Sequence, residues 1–348
     1  MRIAVLGYGI LGRLVAWRMA QSGHAVSVFE SSPAGSRDAT SFAAGGMLAP
    51  YSELDSSEAS IKDLGLQGLT IWESYRQILD LSGVFFDQGS LIVSHARDKN
   101  LLLEFEDRIK SCESAEAIRK VYPHDIEPEL NESLSHGVFI PEEKHLIPDR
   151  LLEILDLANK RLGVALHWQH KVDLNRNNAF ESYDDYSWII DCRGLGARDF
   201  SFSNIRGVRG EAILLHAPNV CLQRPVRIMH PRYAVYIVPR GNSYYYLGAT
   251  QIESEAPHPI TVRSSLELLS AAFVAHSGFA EASIVRMTVG LRPALPSNHP
   301  KLLIDGKYIA LNGLYRHGYL LSPLLVEAAF SIVSDHRKPS FFEDLIVS

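Results

Sequence analysis

The hydrophobic pattern over the first thirty residues predicts a strand, a helix and a second strand. Apolar positions are nearly continuous at residues 3–6 and again at 25–29, as in the strands of a parallel sheet. Between them, apolar residues recur at the spacing of a helix, at Leu11, Leu14, Val15 and Met19. Gly23 marks the end of that helix. The order predicts a βαβ unit.

Three glycines follow the first strand at the spacing of a phosphate-binding turn. Gly7 permits the tight turn, Gly9 lets the backbone approach a pyrophosphate, and Gly12 lets the helix pack against the strand. Glu30 follows Gly12 by 18 residues, where an acid can accept a hydrogen bond from a ribose 2′-OH. The sequence therefore predicts a site for an adenine dinucleotide with a free 2′-OH, rather than for NADP. The alternative is an ordinary βαβ unit whose glycines serve only packing.

The later pattern predicts further elements of both kinds. Helical spacing covers residues 61–81, 97–120, 148–161 and 264–276. A β-hairpin is predicted at 84–95, with its turn at Gln88 and Gly89. Strands of a parallel sheet are predicted at 163–168, 170–174 and 187–198, and antiparallel strands at 208–217, 233–241 and 243–252. Residues 308–330 predict a last strand and helix.

The elements of the parallel sheet return three times along the chain, interleaved with antiparallel strands. We expect a nucleotide-binding domain formed by residues 1–80, 148–202 and 288–348, and a substrate-binding domain formed by 81–147 and 203–287. A length of 348 residues suits two domains that share a cleft. This order differs from the single continuous domain of a simple NAD dehydrogenase.

Composition excludes several classes of partner. The net charge is −6 and no run of Lys or Arg occurs, so we expect neither a nucleic-acid nor an anionic-membrane partner. The sequence also predicts no membrane span, because no apolar stretch is expected to reach the roughly 18 to 20 residues that a span needs. Cys112, Cys192 and Cys221 are scattered, which disfavours disulfides and zinc sites and favours the cytoplasm. The closest histidines, His167 and His170, lack acidic or cysteine neighbours, and no metal is expected.

Several short motifs, taken together and in order, carry a family resemblance over essentially the full length. They are GYGILG, SFAAGGMLAP, VRGE, YIVPR, LGAT, GLRP and LYRHGYLLSP. The chain resembles the FAD-dependent amine and D-amino acid oxidase family, and most of all its glycine oxidase branch linked to thiamine biosynthesis. The resemblance implies an α/β fold, with an FAD-binding Rossmann-like domain of the D-amino acid oxidase type and an interleaved antiparallel α+β substrate domain.

The resemblance also implies which residues contact FAD. Small residues in the AAGG segment would let main chain approach the flavin ring, and a helix starting near Gly318 would direct its positive end at the ring. The alternatives are a flexible loop and a helix that only covers the sheet. The implied contacts are Ile10 and Leu11 at the pyrophosphate, Glu30 and Ser31 at the ribose, Thr40 and Ser41 at the phosphates, Gly45, Gly46 and Met47 beside the flavin, Val172 at adenine, and Leu314, Tyr315, Arg316, His317, Gly318, Tyr319 and Leu320 along the pyrimidine edge.

Three residues match the family's substrate-binding positions. Arg292 in GLRP resembles the arginine that binds the substrate carboxylate, because a guanidinium matches a carboxylate in two hydrogen bonds. Tyr236 in YIVPR matches a tyrosine that donates to the same carboxylate, and Arg316 matches a second arginine near the flavin. The alternative for each arginine is a surface ion pair. In place of the branch's usual glycine and acid the chain has Ala294 and Ser297, and His317 replaces an asparagine, so the identity of the substrate stays open.

The function implied by the resemblance is oxidative deamination of glycine, a small D-amino acid or a secondary amine, with O2 as electron acceptor and H2O2 as product. A D-amino acid dehydrogenase that passes electrons to a quinone or carrier is the first alternative. A tRNA-modifying relative is disfavoured by the absence of a basic run. An FAD-binding protein without turnover is disfavoured by Arg292 and Tyr236. Homo-oligomerisation and a role in thiamine biosynthesis are left open.

Overall fold

The predicted βαβ unit begins the fold and supplies two neighbouring parallel strands of its first sheet. A computed structural model describes residues 1–55, 59–112, 115–174, 180–231, 235–335 and 346–347. Its strands are β1 (Arg2–Leu6), β2 (Ala25–Phe29), β3 (Met47–Leu48), β4 (Phe85–Phe86), β5 (Ser90–Ser94), β6 (Arg119–Val121), β7 (His136–Ile140), β8 (Lys144–Leu146), β9 (Ala165–His167), β10 (Trp188–Asp191), β11 (Arg206–His216), β12 (Val226–Ile228), β13 (Val235–Pro239), β14 (Tyr244–Gly248), β15 (Ser283–Ala294), β16 (Lys301–Asp305), β17 (Tyr308–Asn312) and β18 (Ile346–Val347). Its helices are α1 (Ile10–Gln21), α2 (Ala59–Leu79), α3 (Lys99–Ser111), α4 (Pro123–Ile126), α5 (Pro148–Arg161), α6 (Val262–Ala275) and α7 (Gly318–Asp335).

The first sheet has seven strands in the order β18-β16-β17-β10-β1-β2-β9. Strand β1 pairs in parallel with β2 and β10, and β10 pairs in parallel with β17. Ile3 and Val5 of β1 pack in one core with α1, α2, α5 and α7, while Ala4 and Leu6 pack in a second core on the opposite face. Burial on both faces explains why β1 is an unbroken apolar run.

The second sheet has eight strands in the order β15-β11-β14-β13-β12-β5-β7-β6. Strands β11, β13 and β14 are antiparallel, as predicted, although residues 233–234 of the predicted strand lie outside the described residues. One face of this sheet packs against α6. On the other face Tyr236, Val238 and Tyr246 cluster, since β13 and β14 pair Tyr236 with Gly248 and Val238 with Tyr246. The alternation of these strands thus separates a core face from a face that lines a cavity.

Three predicted elements are wrong. Residues 84–95 form no hairpin, because β4 pairs with β8 whereas β5 pairs with β7 and β12. The helix predicted at 97–120 ends at Ser111, after the last apolar position of its buried face, Ile109, and residues 119–121 join the second sheet as β6. Residues 170–174 form no strand. Their side chains Val172 and Leu174 are nevertheless buried in the second core of the first sheet.

Helix α7 corrects the expectation that no apolar stretch reaches the length of a membrane span. Its 18 residues have a mean hydropathy of 1.2, but 67% of them are buried inside the protein. It packs against α1 and α2 in the main core, which explains its apolar composition. The residue ranges assigned to the two domains stay a prediction.

Candidate active site

A cavity of about 1550 Å³ is lined by residues from both large sheets. Its lining includes the turn between β1 and α1 and residues of β13, β14 and β15. Every cofactor and substrate residue proposed from the sequence lines this cavity, with the exception of Gly12. Gly12 instead packs beneath the turn, where a Cβ atom would overlap the carbonyl oxygen of Gly7.

The glycine turn presents the N-terminus of α1 to the cavity, with no capping side chain on its N-cap residue. Gly7 has a φ of +87°, which glycine adopts without steric cost, and its N–H donates to the carbonyl oxygen of Phe29 at 2.9 Å. Gly9 precedes α1 and has no side chain that could cap it. The N–H of Ile10 donates to Ser41 Oγ at 2.9 Å. Such a terminus offers N–H groups and a positive dipole end to phosphates.

The carboxylate of Glu30 lines the cavity and is held there by hydrogen bonds from residues of the β1–α1 turn and of the turn that follows β2. Its Oε2 accepts a 2.7 Å hydrogen bond from the N–H of Tyr8. Its Oε1 accepts from the N–H of Ser32 at 2.8 Å and from Ser31 Oγ at 3.1 Å. Each carboxylate oxygen has further lone pairs, so this fixed acid can still accept from a ribose hydroxyl. Val172 is buried nearby, in the same cluster as Phe29.

Residues 40–47 run along the cavity between the two sheets. Thr40 Oγ1 donates to the carbonyl oxygen of Leu291 at 2.8 Å, which ties this segment to β15. Gly46 has a φ of +70°, and a Cβ atom there would overlap the carbonyl oxygen of Leu146. At Gly45 a Cβ atom would lie 3.1 Å from the ring of Tyr246. The two glycines therefore allow the main chain to lie against the Tyr246 ring and the Leu146 carbonyl. Met47, the next residue, begins β3.

Arg240 and Tyr246 hold the same segment and were not singled out from the sequence. Arg240 donates to the carbonyl oxygens of Leu146 and Gly45, each at 2.7 Å, and to that of Ala44 at 3.2 Å. Burial lowers the pKa of Arg240 to about 10, so it remains a cation at neutral pH. The hydroxyl of Tyr246 donates to the carbonyl oxygen of Ala43 at 3.0 Å. Arg240 closes the YIVPR motif, which was the available signal.

The start of α7 forms another wall of the cavity. The helix begins at Gly318, as predicted, and residues 314–320 all line the cavity. The hydroxyl of Tyr319 donates to the carbonyl oxygen of Ser41 at 2.9 Å, and the N–H of Tyr315 donates to that of Pro293 at 3.0 Å. These bonds join the α7 terminus to the segment of residues 40–47 and to the GLRP motif.

Arg292 lies on β15 with its guanidinium against the backbone of β11. Its Nη1 donates to the carbonyl oxygen of Thr250 at 3.0 Å. A Cβ atom at Gly210 would overlap the guanidinium, which explains the glycine of the VRGE motif. Burial, together with the charge of Arg316, lowers the pKa of Arg292. An anionic ligand would relieve this accumulation of positive charge.

Tyr236 lines the same cavity, and the charges of Glu53 and Arg316 act on its hydroxyl as they do on Arg292. The residue is 9% exposed, and its hydroxyl has no hydrogen-bond partner among the described residues. Burial raises the pKa of Tyr236 to about 12, so the hydroxyl keeps its proton and can donate. A buried donor without a partner is costly, and a bound carboxylate would satisfy it.

Arg316 and His317 meet an acid that sequence reasoning missed. Arg316 Nη1 donates to Gln251 Oε1 at 3.2 Å, while its Nε lies 3.8 Å from Glu53 Oε2. His317 Nδ1 lies 3.5 Å from the same oxygen, and burial lowers the pKa of this histidine. Glu53 lies in a short turn with no motif of its own, so no local signal marked it.

Comparison with known proteins decides the family. Residues 2–329 match the family model described as DAO, FAD dependent oxidoreductase. The chain belongs to this family. Its FAD-dependent chemistry fits the cavity, because the glycine-led N-terminus of α1 suits the phosphates, Glu30 suits the ribose, and Gly45 and Gly46 give close access to main chain. Within the described ranges, no three His, Cys, Asp or Glu side chains are grouped so that they could hold a metal ion.

Individual relatives place this DAO-family chain among the glycine oxidase and ThiO type of enzymes. It is 35% identical over 344 residues to ThiO of Rhizobium etli, provisionally named a thiamine biosynthesis oxidoreductase, covering 97% of this chain and 98% of that one. It is 25% identical to the glycine oxidase of Geobacillus kaustophilus over 92% of this chain and 90% of that one. The crystal structure of the Geobacillus kaustophilus glycine oxidase matches with a TM-score of 0.84 and 22% identity, over 100% of this chain and 98% of that one. The structural match establishes the same fold.

Proposed function

We propose that this oxidoreductase deaminates glycine or another small amino acid or amine and transfers the electrons to O2. The observation that carries the proposal is that one cavity holds both the guanidinium of Arg292 and the hydroxyl of Tyr236, which has no hydrogen-bond partner among the described residues, and that the charges of Glu53 and Arg316 act on both groups. Both groups are donors, and together they suit a carboxylate.

The residues of the chain act by positioning and electrostatics. Arg292 would bind the substrate carboxylate through two parallel hydrogen bonds, and Tyr236 would donate a third, which fixes the direction of the Cα–H bond. FAD, when bound, accepts the hydride from Cα, and the electron pair passes with two protons to O2 to give H2O2. The α7 terminus would favour negative charge developing at the nearby edge of the ring. The substrate, having lost the hydride and an N–H proton, is an imine that water hydrolyses to a 2-oxo acid and ammonia, or to a primary amine from a secondary one.

The cellular setting is part of the proposal. The relative from Rhizobium etli supports a role in thiamine biosynthesis. All three cysteines are free, which suits a reducing cytoplasm. Loss of the gene should therefore create a requirement for thiamine, and normal growth without it would contradict this part.

Product analysis tests the reaction itself. Purified holoenzyme is incubated in air with glycine, sarcosine or D-alanine, and H2O2 and the 2-oxo acid are measured. We expect stoichiometric H2O2 and 2-oxo acid from at least one of the three. Parallel assays under nitrogen with a reducible dye separate the alternatives. Reduction of the dye under nitrogen, without formation of peroxide in air, would indicate a dehydrogenase. Absence of turnover both in air and with the dye would contradict an oxidative function.

A further inference from the structure

Glu53 places a carboxylate in the cavity among the residues proposed to bind the substrate, and its charge acts on both Tyr236 and Arg292, although the proposed ligand is itself a carboxylate. The residue lies in the turn Ser52–Asp55 and is 9% exposed. It lines the cavity together with Tyr236, Arg292 and Arg316. A buried acid in a site for an anion is unfavourable unless it contacts a positive or hydrogen-donating part of the ligand.

The neighbours of Glu53 keep it ionised without fully satisfying it. Its Oε2 is 3.8 Å from Arg316 Nε and 3.5 Å from His317 Nδ1, both longer than the roughly 2.7 to 3.2 Å of an N–H···O hydrogen bond. No hydrogen-bond partner for this oxygen is found in the part of the chain that the structure describes. Burial acts to raise the pKa of Glu53, but the charges of Arg316, His317, Arg227 and Arg292 together hold it below its ordinary value.

An amino acid offers one group that matches such an acceptor. With its carboxylate on Arg292 and Tyr236, the only remaining polar group of glycine is the amine, which carries N–H donors. We propose that the carboxylate of Glu53 accepts a hydrogen bond from the substrate amine, and that it thereby selects amines over carboxylates that lack one. The inference rests on the proposed function and names the group that determines specificity at that site.

The proposal predicts opposite effects on two ligands. Glycine carries the amine, whereas acetate has the carboxylate alone. Replacing Glu53 by Gln removes the acidic acceptor, so glycine should bind more weakly. The same change removes a negative charge that repels acetate, so acetate should bind as well or better. If Glu53 served only the local structure, its replacement by Gln would weaken the binding of both ligands. If Glu53 served only to balance the arginine charges, the same replacement would strengthen the binding of both.

The experiment measures KM for glycine, or for whichever amino acid the holoenzyme oxidises best, and Kd for acetate by perturbation of the flavin spectrum. For Glu53→Gln we expect KM to rise about tenfold or more while Kd for acetate is unchanged or lower. Glu53→Asp, which keeps the charge but shortens its reach, should weaken amino-acid binding less than Gln does. Glu153→Gln, at an exposed residue that forms a surface ion pair with Arg150, is the matched control and should change neither constant.

Three outcomes for FAD-loaded Glu53→Gln would contradict the inference. Binding of glycine and of acetate could both become weaker to the same extent, both become tighter to the same extent, or both stay unchanged. Wild-type protein that binds acetate but oxidises no amine would instead contradict the proposed function, and the inference with it. Melting temperature and flavin content of each variant show that it is folded, and Glu53→Asp supplies the comparison if Glu53→Gln loses FAD.

Discussion

Arg240 and Gly45 are joined by a 2.7 Å hydrogen bond from the guanidinium Nη2 to the carbonyl oxygen. The same guanidinium holds Ala44 and, through Nη1, Leu146. The residue that directly follows β13 thus fixes the small-residue segment that lines the cavity, at the positions where the FAD ring is proposed to lie. The cation of Arg240 serves the shape of the cavity, whereas Arg292 is the guanidinium proposed to bind the substrate.

Arg240→Met should loosen this segment. The change removes three hydrogen bonds from a charged donor, each of which contributes about 1.5 to 3 kcal/mol. We expect a lower melting temperature, weaker FAD binding and a reduced kcat. Arg150→Met, at an exposed arginine in a surface ion pair, is the control and should leave all three unchanged. Unaltered FAD affinity and kcat in Arg240→Met would show that the segment keeps its shape without the guanidinium.

Glu30→Ala should weaken FAD affinity by about 1 to 3 kcal/mol, the usual cost of deleting a charged hydrogen-bond partner. The holoprotein should purify yellow, and FAD released by acid and identified by chromatography gives the starting point for the titration. Glu30→Gln retains one acceptor oxygen and should lose less affinity. Substrate preference should be unchanged in both variants. An FAD dissociation constant that does not change in Glu30→Ala would mean that the acid serves only Tyr8 and Ser32.

Arg292→Ala should abolish measurable binding of amino acids and of carboxylate inhibitors, while the flavin spectrum of the free enzyme stays nearly the same. Loss of one partner from a desolvated charge pair costs about 2 to 5 kcal/mol. Arg292→Lys should rescue only in part, because an ammonium cannot form the paired hydrogen bonds of a guanidinium. The checks are kcat/KM and the inhibitor Kd. Changes of less than about threefold in both would move the carboxylate site to Arg316.

Glu143 should give the protein a pH-dependent stability. It is fully buried and accepts hydrogen bonds from the N–H and the hydroxyl of Ser52, and burial raises its pKa from 4.5 to about 7. The folded state therefore holds this proton more tightly than the unfolded state. Stability from this group is present below pH 4.5 and is lost as the pH rises through about 7, by about 3 kcal/mol.

Glu143→Gln removes that titration. The melting temperature of the variant, measured relative to wild type with FAD bound, should rise between pH 5 and pH 8, because only the wild type then carries a buried charge. Parallel melting curves of the two proteins across this range would contradict the assignment.

Much of the fold could be predicted because its signals are local. The glycines after β1, the start of α5 at Pro148 and the alternation in β11, β13 and β14 are each encoded within a few residues. The hairpin at 84–95 failed for the opposite reason. Phe85 and Leu91 look like neighbours on two paired strands, but they are buried in different cores, and only tertiary structure decides which partner each strand takes.

The same limit applies to the site. Motif resemblance found Arg292, Tyr236 and Arg316, since each lies in a recognisable short pattern. Glu53 and Arg240 act through partners far away in the chain, Glu53 on Arg316 and Arg240 on Gly45. Residue spacing in the sequence could not predict these contacts, because they form only when distant parts of the chain pack together.

The most direct test of the central claim is an anaerobic titration of the holoenzyme with glycine, sarcosine and D-alanine, followed by the flavin absorption spectrum. We predict that at least one of the three reduces the flavin and abolishes its visible absorption, and that Arg292→Ala, loaded with FAD, does not respond to the same substrate. An oxidised spectrum that persists with all three, in wild-type protein that contains FAD, would contradict the assignment of this site to the oxidation of small amino acids and amines.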